Sequence, residues 1–134
     1  MIANRYRSFK KWLTIIAFCL LTTQSFAQVV ISQVYPGGGG STGTYLRDYV
    51  ELFNTSCQPV NIGGWVIEYG SATGNWGASA GNIYQFPANT IIQPYKYLLI
   101  EAGASGTAGS PLPVTADFTT VTTGFSLSGT SGKV

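Results

Sequence analysis

Histidine is absent from this chain of 134 residues, and charged residues make up only 9% of it. Without histidine, a Ser-His-Asp triad, a Cys-His nucleophile pair and a histidine-rich zinc site are excluded. The remaining acid–base groups are carboxylates, and Asp48 and Glu51 are the two that lie closest in sequence. Because they are three positions apart in a predicted strand, they point to opposite faces and do not face one bond together. The sequence therefore predicts no catalytic residue and no cofactor site.

Cations are scarce outside the first 27 residues. Beyond that segment only Arg47, Lys96 and Lys133 oppose five carboxylates, which gives a net charge of −2. Nucleic-acid binding draws most of its affinity from Lys and Arg that neutralise phosphates. We therefore expect no nucleic-acid partner, and the same scarcity argues against an anionic membrane surface.

Cysteine is also scarce, with Cys19 in the leading segment and Cys57 in a predicted turn. If the leading segment is removed, Cys57 is left alone and no internal disulfide can form. Three states stay open for Cys57: a buried inert thiol, an intermolecular bridge, or a bridge to a partner beyond Val134.

The first 27 residues have the features of a secretory signal peptide. A basic start without acidic residues precedes an apolar run from Trp12 to Leu21, and small residues stand at Ser25 and Ala27. The run is well short of the roughly 20 residues that a membrane-spanning helix needs. We expect cleavage between Ala27 and Gln28, a secreted or cell-surface location, and no membrane insertion after cleavage.

Residues 28–134 have the size of one domain and show no helical periodicity. Short β-rich runs alternate with Gly, Pro, Asn and Ser, a pattern typical of a β-sandwich or barrel. A glycine-rich loop is predicted from Ser71 to Asn82. The predicted strands are Val29–Tyr35, Tyr49–Asn54, Trp65–Gly70, Ile83–Pro87, Thr90–Pro94, Lys96–Gly103, Asp117–Thr123 and Phe125–Gly129.

The run Gly37–Gly40 raises the possibility of a phosphate-binding loop. A Walker-type loop requires a lysine and a helix directly after it. Neither is present, because "TYLRDYVELF" continues as a strand. We interpret the glycines as a connection between strands.

Two weaker ligand hypotheses remain. Asp48 and Glu51 with loop carbonyls could bind calcium, although solvated or strand-paired carboxylates are the favoured interpretation. Trp76 and Tyr84 could form a stacking platform for a sugar, although packing of the loop onto the sandwich is favoured. Trp65, at the start of a strand, is predicted to lie in the core.

The final "SGTSGKV" reads as the beginning of a strand that does not follow. A sandwich that stopped there would leave an edge unpaired and part of its core uncovered. We therefore expect the domain to be truncated at its C-terminus, with further strands beyond Val134.

Several segments together resemble the lamin tail domain family, in its secreted bacterial branch. They are "ISQVYPGGGG", "DYVELFN", "PVNIGGW" and "IQPYKYLLIEAG", with support from "SATGNW" and "LSGTSGKV", and in this order they cover essentially all of residues 29–134. The resemblance implies an all-β, immunoglobulin-like sandwich and a continuation past the "GKV" position.

The resemblance also implies a function. Lamin tail domains are non-catalytic interaction modules, and secreted bacterial members occur beside hydrolases such as nucleases and phosphatases and beside surface anchors. The DNA contacts of nuclear lamins should not transfer, because the basic residues are missing here. We expect an accessory module that binds a protein, a matrix or a surface glycan. The alternatives are a carbohydrate-binding sandwich, or the N-terminal part of a secreted hydrolase whose active site lies downstream.

Overall fold

The computed structural model describes residues 28–104, 106–120 and 125–134, and their architecture is an all-β, immunoglobulin-like sandwich. The predicted signal peptide 1–27 lies outside the described residues. Within the described ranges the strands are β1 (Val29–Tyr35), β2 (Tyr49–Asn54), β3 (Val60–Asn61), β4 (Val66–Glu68), β5 (Ile83–Gln85), β6 (Ile91–Ile92), β7 (Tyr97–Glu101) and β8 (Phe118–Thr119).

The largest sheet has four strands in the order β1-β2-β7-β8. β2 lies inside it and pairs antiparallel with both β1 and β7, whereas β8 runs parallel to β7. Along β2 the side chains alternate, so Val50 and Leu52 are buried while Glu51 and Phe53 are more exposed. β1 and β8 are the edge strands of this sheet, and the register of β1 with β2 shifts between Ile31 and Gln33.

The other strands form two antiparallel pairs, β3 with β6 and β4 with β5. In the second pair Ile67 lies opposite Tyr84. A single 3₁₀ turn at Ala80–Asn82 ends the loop that connects β4 to β5.

The core lies between these layers and consists mainly of apolar side chains. The side chains of Val50, Ile62, Ile100 and Phe125 are fully buried, and Leu127 is 3% exposed. Phe125 and Leu127 show that the C-terminal segment contributes to the core after the last strand has ended.

Two predicted elements differ from the structure. Val60–Asn61, for which no strand is predicted, forms β3, because its backbone pairs with Ile91–Ile92 far along the chain. The segment Phe125–Gly129 was predicted as a strand but lies in no ladder, because the Leu127 N–H donates to the Asp48 carboxylate instead of to a neighbouring strand. Of the predicted strand Asp117–Thr123, β8 covers Phe118–Thr119, and residues 121–124 lie outside the described ranges.

Candidate interaction surface

One side of the sandwich is open between the edge strand β1 and strand β4. An apolar groove of about 510 Å³ lies there, and a second cavity of about 450 Å³ adjoins it. Ile31 and Val134 line both, and we call the first of the two the β1–β4 groove. Its main lining residues are Val29, Ile31, Trp65, Val66, Trp76 and Val134.

One edge of the β4 backbone lies on the groove side, and the described residues pair with it only at Gly70. In an antiparallel pair, alternate residues direct both N–H and C=O to the same side. The Tyr69 N–H donates to Asn82 and the Trp65 carbonyl accepts from Phe86, so the odd-numbered residues of this segment face β5. Gly70 faces the opposite side, where it exchanges two hydrogen bonds of 2.8 and 2.9 Å with Lys133.

Val66 and Glu68 lie in the same alternation as Gly70. Their N–H and C=O groups therefore point away from β5, toward the groove side. Among the residues that the structure describes, no backbone group pairs with them, whereas Gly70 is already paired.

Trp65 corrects the sequence prediction, because its side chain is 51% exposed and is not a core residue. It shares the inward face of Ile67, which is 7% exposed. The core prediction for Trp65 is wrong because this residue lies at the side of the sandwich that no strand in the described ranges covers.

Trp76 also lines the groove and is 49% exposed. The Nζ atom of Lys133 lies 5.0 Å from its ring centroid, within the range of a cation–π contact. The groove therefore has two half-exposed indoles on its wall, and one of them has a face covered by a lysine.

Tyr84 lies elsewhere than the sugar-platform hypothesis requires. Its ring packs against Phe86 and Phe118, with centroid distances of 5.4 and 6.4 Å, and it is partly buried against the core. Burial raises the pKa of its hydroxyl. The structure thus groups Trp76 with Trp65 along the groove, and Tyr84 with the core aromatics. A ligand role for Trp76 and Tyr84 stays a prediction.

The glycine run packs against neighbouring backbone. Gly38 and Gly39 are both buried, and a Cβ on Gly38 would overlap the backbone of Arg47. The N–H groups of this loop are used internally, since Gly39 donates to Tyr45 and Gly40 to Gly37. No row of free N–H groups is left at these positions to bind a phosphate.

Asp48 has a role that the sequence did not reveal. Its side chain is fully buried, and one carboxylate oxygen accepts a 2.6 Å hydrogen bond from the Gly38 N–H. The other oxygen accepts from the Leu127 N–H at 2.7 Å and the Ser126 hydroxyl at 3.3 Å. Asp48 thus joins the glycine loop to the C-terminal segment.

The calcium hypothesis needs Asp48 and Glu51 to share a cation. The oxygens of Asp48 are instead directed at N–H and O–H donors, and Glu51 accepts a hydrogen bond from the Ser32 hydroxyl. Within residues 28–104, 106–120 and 125–134 there is no group of three or more metal-ligating side chains. The same ranges contain no helix of the length and apolarity needed to cross a bilayer.

One other buried polar residue, Asn54, has a structural role. Asn54 is fully buried, and its side-chain amide donates to the carbonyls of Gln58, Ile92 and Gln93, which fixes the turn that contains Cys57. Cys57 itself is exposed and has a free thiol, so the buried state is wrong for this residue.

Comparison with known proteins identifies the family. The family model for the Lamin Tail Domain matches residues 22–132, which is most of the chain. Searches of curated proteins and of solved structures gave no match. The length of the family match shows that this chain belongs to the lamin tail domain family.

Proposed function

We propose that this protein is a secreted, non-catalytic module, of the bacterial type, that attaches a larger extracellular or cell-surface protein to a partner through the β1–β4 groove. Family membership supports an interaction role. The observation that carries the proposal is the groove itself, where apolar side chains and unpaired backbone are exposed together.

Large apolar side chains are costly to leave in water, at about 25 cal/mol per Å² of accessible surface. Trp65, Val66, Trp76 and Ile31 are between 44% and 51% exposed and line one groove. Contiguous exposed apolar surface of this kind marks interaction sites in soluble proteins. A protein partner is the class of ligand that can both cover these apolar side chains and hydrogen-bond to the backbone of Val66 and Glu68.

Photocrosslinking tests the proposal directly. A photoreactive residue replaces Val66, which is 48% exposed in the groove, or Val114, which is 61% exposed and outside it. The full chain is produced with its signal segment, and the exported product is crosslinked in culture. We expect a discrete adduct from position 66 alone. Equal labelling from both positions, or none from position 66, would contradict the proposal.

Export has its own test, because it rests on the leading segment. Mass spectrometry of the exported product should give a mature N-terminus at Gln28. A product that retains residues 1–27 in the membrane fraction would refute the secreted location.

Carbohydrate binding is the second candidate, favoured by the half-exposed indole of Trp76. Retarded migration in polysaccharide gels that Trp76→Ala abolishes would support it. Tyr95→Ala is the matched control, since Tyr95 is 59% exposed and does not line the groove. Unchanged mobility across several glycans would remove this candidate.

A further inference from the structure

From the outward face of strands β1, β2 and β7 we infer that this protein has a second binding surface, which takes a polysaccharide whose sugar rings carry ammonium groups. The surface, which we call the outer sheet face, is formed by the side chains of Gln33, Glu51, Phe53, Tyr97 and Glu101. It is the face of this sheet that is turned away from the core, and none of its residues lines the β1–β4 groove. The inference therefore goes beyond the proposed function and does not rest on it.

Strand alternation and register bring these side chains together. The residues that alternate with the buried ones of β2 and β7 point outward. Phe53 lies directly opposite Tyr97 at one end of the face. Glu51 lies opposite Leu99, two positions before Glu101, so the two carboxylates are diagonal neighbours, about 7–8 Å apart along the sheet. The face thus has an aromatic end and a carboxylate end.

Tyr97 provides the aromatic contact surface. Its side chain is 59% exposed, and its ring centroid lies 4.5 Å from that of Phe53 at an interplanar angle of 30°. One side of the Tyr97 ring is therefore supported by Phe53, and the other side is open to solvent. A supported and exposed ring can stack on the C–H face of a sugar with little loss of side-chain entropy.

The charge of the outer sheet face is negative. Glu51 accepts a hydrogen bond from the Ser32 hydroxyl at 2.6 Å, and Glu101 accepts one from the Thr119 hydroxyl at 3.4 Å. Neither carboxylate forms an ion pair with a lysine or arginine of the described ranges. Uncompensated carboxylates attract a cation by direct charge, and the neighbouring aromatic rings attract it through their faces. Charge complementarity therefore favours a cationic ligand.

The backbone of this face favours a polysaccharide over a polypeptide. β2 is paired along both edges, with β1 and with β7, so its N–H and C=O groups are already used. A peptide laid across the face would lose water from its own backbone groups without finding partners for them. The centre of a protein interface is also depleted of charge, whereas two carboxylates lie here. A polysaccharide has no peptide groups, and its ring faces and ammonium groups match the two ends of the surface.

Titration calorimetry of the exported chain with a β-linked glucosamine hexamer tests the inference, in mildly acidic buffer that keeps the sugar amines protonated. The matched control ligand is the same hexamer with every amine acetylated, which keeps the rings and removes the charge. We expect saturable binding of the glucosamine hexamer, and binding of the acetylated hexamer weaker by about tenfold or more. Equal affinities, or no binding of the glucosamine hexamer, would overturn the inference.

A lysine hexamer separates the polysaccharide from a basic polypeptide. It carries ammonium groups but no sugar ring that could stack on Tyr97. We expect it to bind more weakly than the glucosamine hexamer by about tenfold. If the lysine hexamer binds as tightly, this face takes a cationic polypeptide and the inference is wrong.

Variants of the chain locate the binding. Tyr97→Ala should weaken binding of the glucosamine hexamer by about tenfold, whereas Tyr97→Phe keeps the ring and most of the affinity. Glu51→Gln should weaken binding by about threefold and reduce its dependence on salt. Trp76→Ala, in the groove, is the control and should bind normally. Loss of binding in Trp76→Ala but not in Tyr97→Ala would overturn the inference. If Tyr97→Ala does not fold, the salt dependence of Glu51→Gln still decides the matter.

The crosslink from position 66 reads the proposed function separately. Saturation with the glucosamine hexamer should leave that adduct unchanged, because the two surfaces share no residue. If the hexamer binds but no adduct forms, the proposed function alone fails and the second surface stands. Suppression of the adduct by the hexamer would contradict a second, separate surface.

Discussion

At the scale of single residues, Asp48 joins two segments that are far apart in sequence. Its buried carboxylate accepts from Gly38, ten residues before it, and from Leu127, 79 residues after it. The sequence shows an acidic residue at the start of a strand, which suggested solvent or a cation. Burial could not be predicted, because it depends on a C-terminal segment that returns to the same point.

Asp48→Asn should destabilise the fold. The amide nitrogen of asparagine would face an N–H donor, and an unsatisfied buried group costs about 1–3 kcal/mol. Urea unfolding monitored by circular dichroism measures the loss. Glu51→Gln is the matched control, because its amide oxygen can still accept from Ser32. Equal urea midpoints of unfolding for the two variants would refute the stabilising role of the buried Asp48 carboxylate.

Tyr49 and Tyr84 should make stability fall in alkali. Burial is the main cause of the raised pKa of both hydroxyls, and Tyr45 and Glu51 add to it at Tyr49. A tyrosine whose pKa is higher in the folded protein than in the unfolded chain stabilises the fold fully below the unfolded pKa of 10.0. This stabilisation is lost as pH rises through the folded-state pKa. Denaturant unfolding at about pH 9 and about pH 11 tests this by comparing the free energy of unfolding at the two pH values. Tyr49→Phe should reduce the difference between these two free energies. An unchanged difference would contradict the prediction.

At the scale of elements, the sequence predicted the strands that carry an alternating pattern. Tyr49–Asn54 and Val29–Tyr35 have the predicted bounds. Two-residue strands such as Val60–Asn61 are too short to show alternation, and only long-range pairing defines them. Trp65 shows the same limit, since the periodicity of a strand gives the face of a side chain but not what covers that face.

The glycine loop is the element whose composition is most restricted by packing. Gly38→Ala should cost about 3 kcal/mol, because the added Cβ would overlap the Arg47 backbone. Gly64→Ala is the control, since Gly64 has a φ of +82° and nothing within 4 Å. Its left-handed backbone alone should cost about 1–2 kcal/mol. Thermal unfolding that ranks Gly64→Ala as the more damaging change would contradict this account of the loop.

At the scale of the whole molecule, the described strands pack around an apolar core and leave the β1–β4 groove uncovered by any other described strand. Family and fold class could be predicted from the sequence, because the motifs around Gly37–Gly40 and Trp65 are specific in combination. The groove could not be predicted from the sequence, because it lies between the edge strands β1 and β4. No local sequence pattern shows that these two strands come close together.

The C-terminal segment is expected to be part of the cooperative fold. Phe125→Ala should cost about 3–5 kcal/mol, as for other buried phenylalanines, because Phe125 is fully buried. Phe53→Ala, at a less buried position on the outer face of β2, should cost clearly less. If Phe125→Ala were the milder variant in denaturant unfolding, the segment would not belong to the core.

Amide hydrogen exchange tests most directly whether the β4 edge that borders the groove is unpaired. We expect fast exchange at Val66 and Glu68 and slow exchange at Ile67, whose N–H faces β5. Exchange at Val66 and Glu68 as slow as at Ile67 would contradict the account.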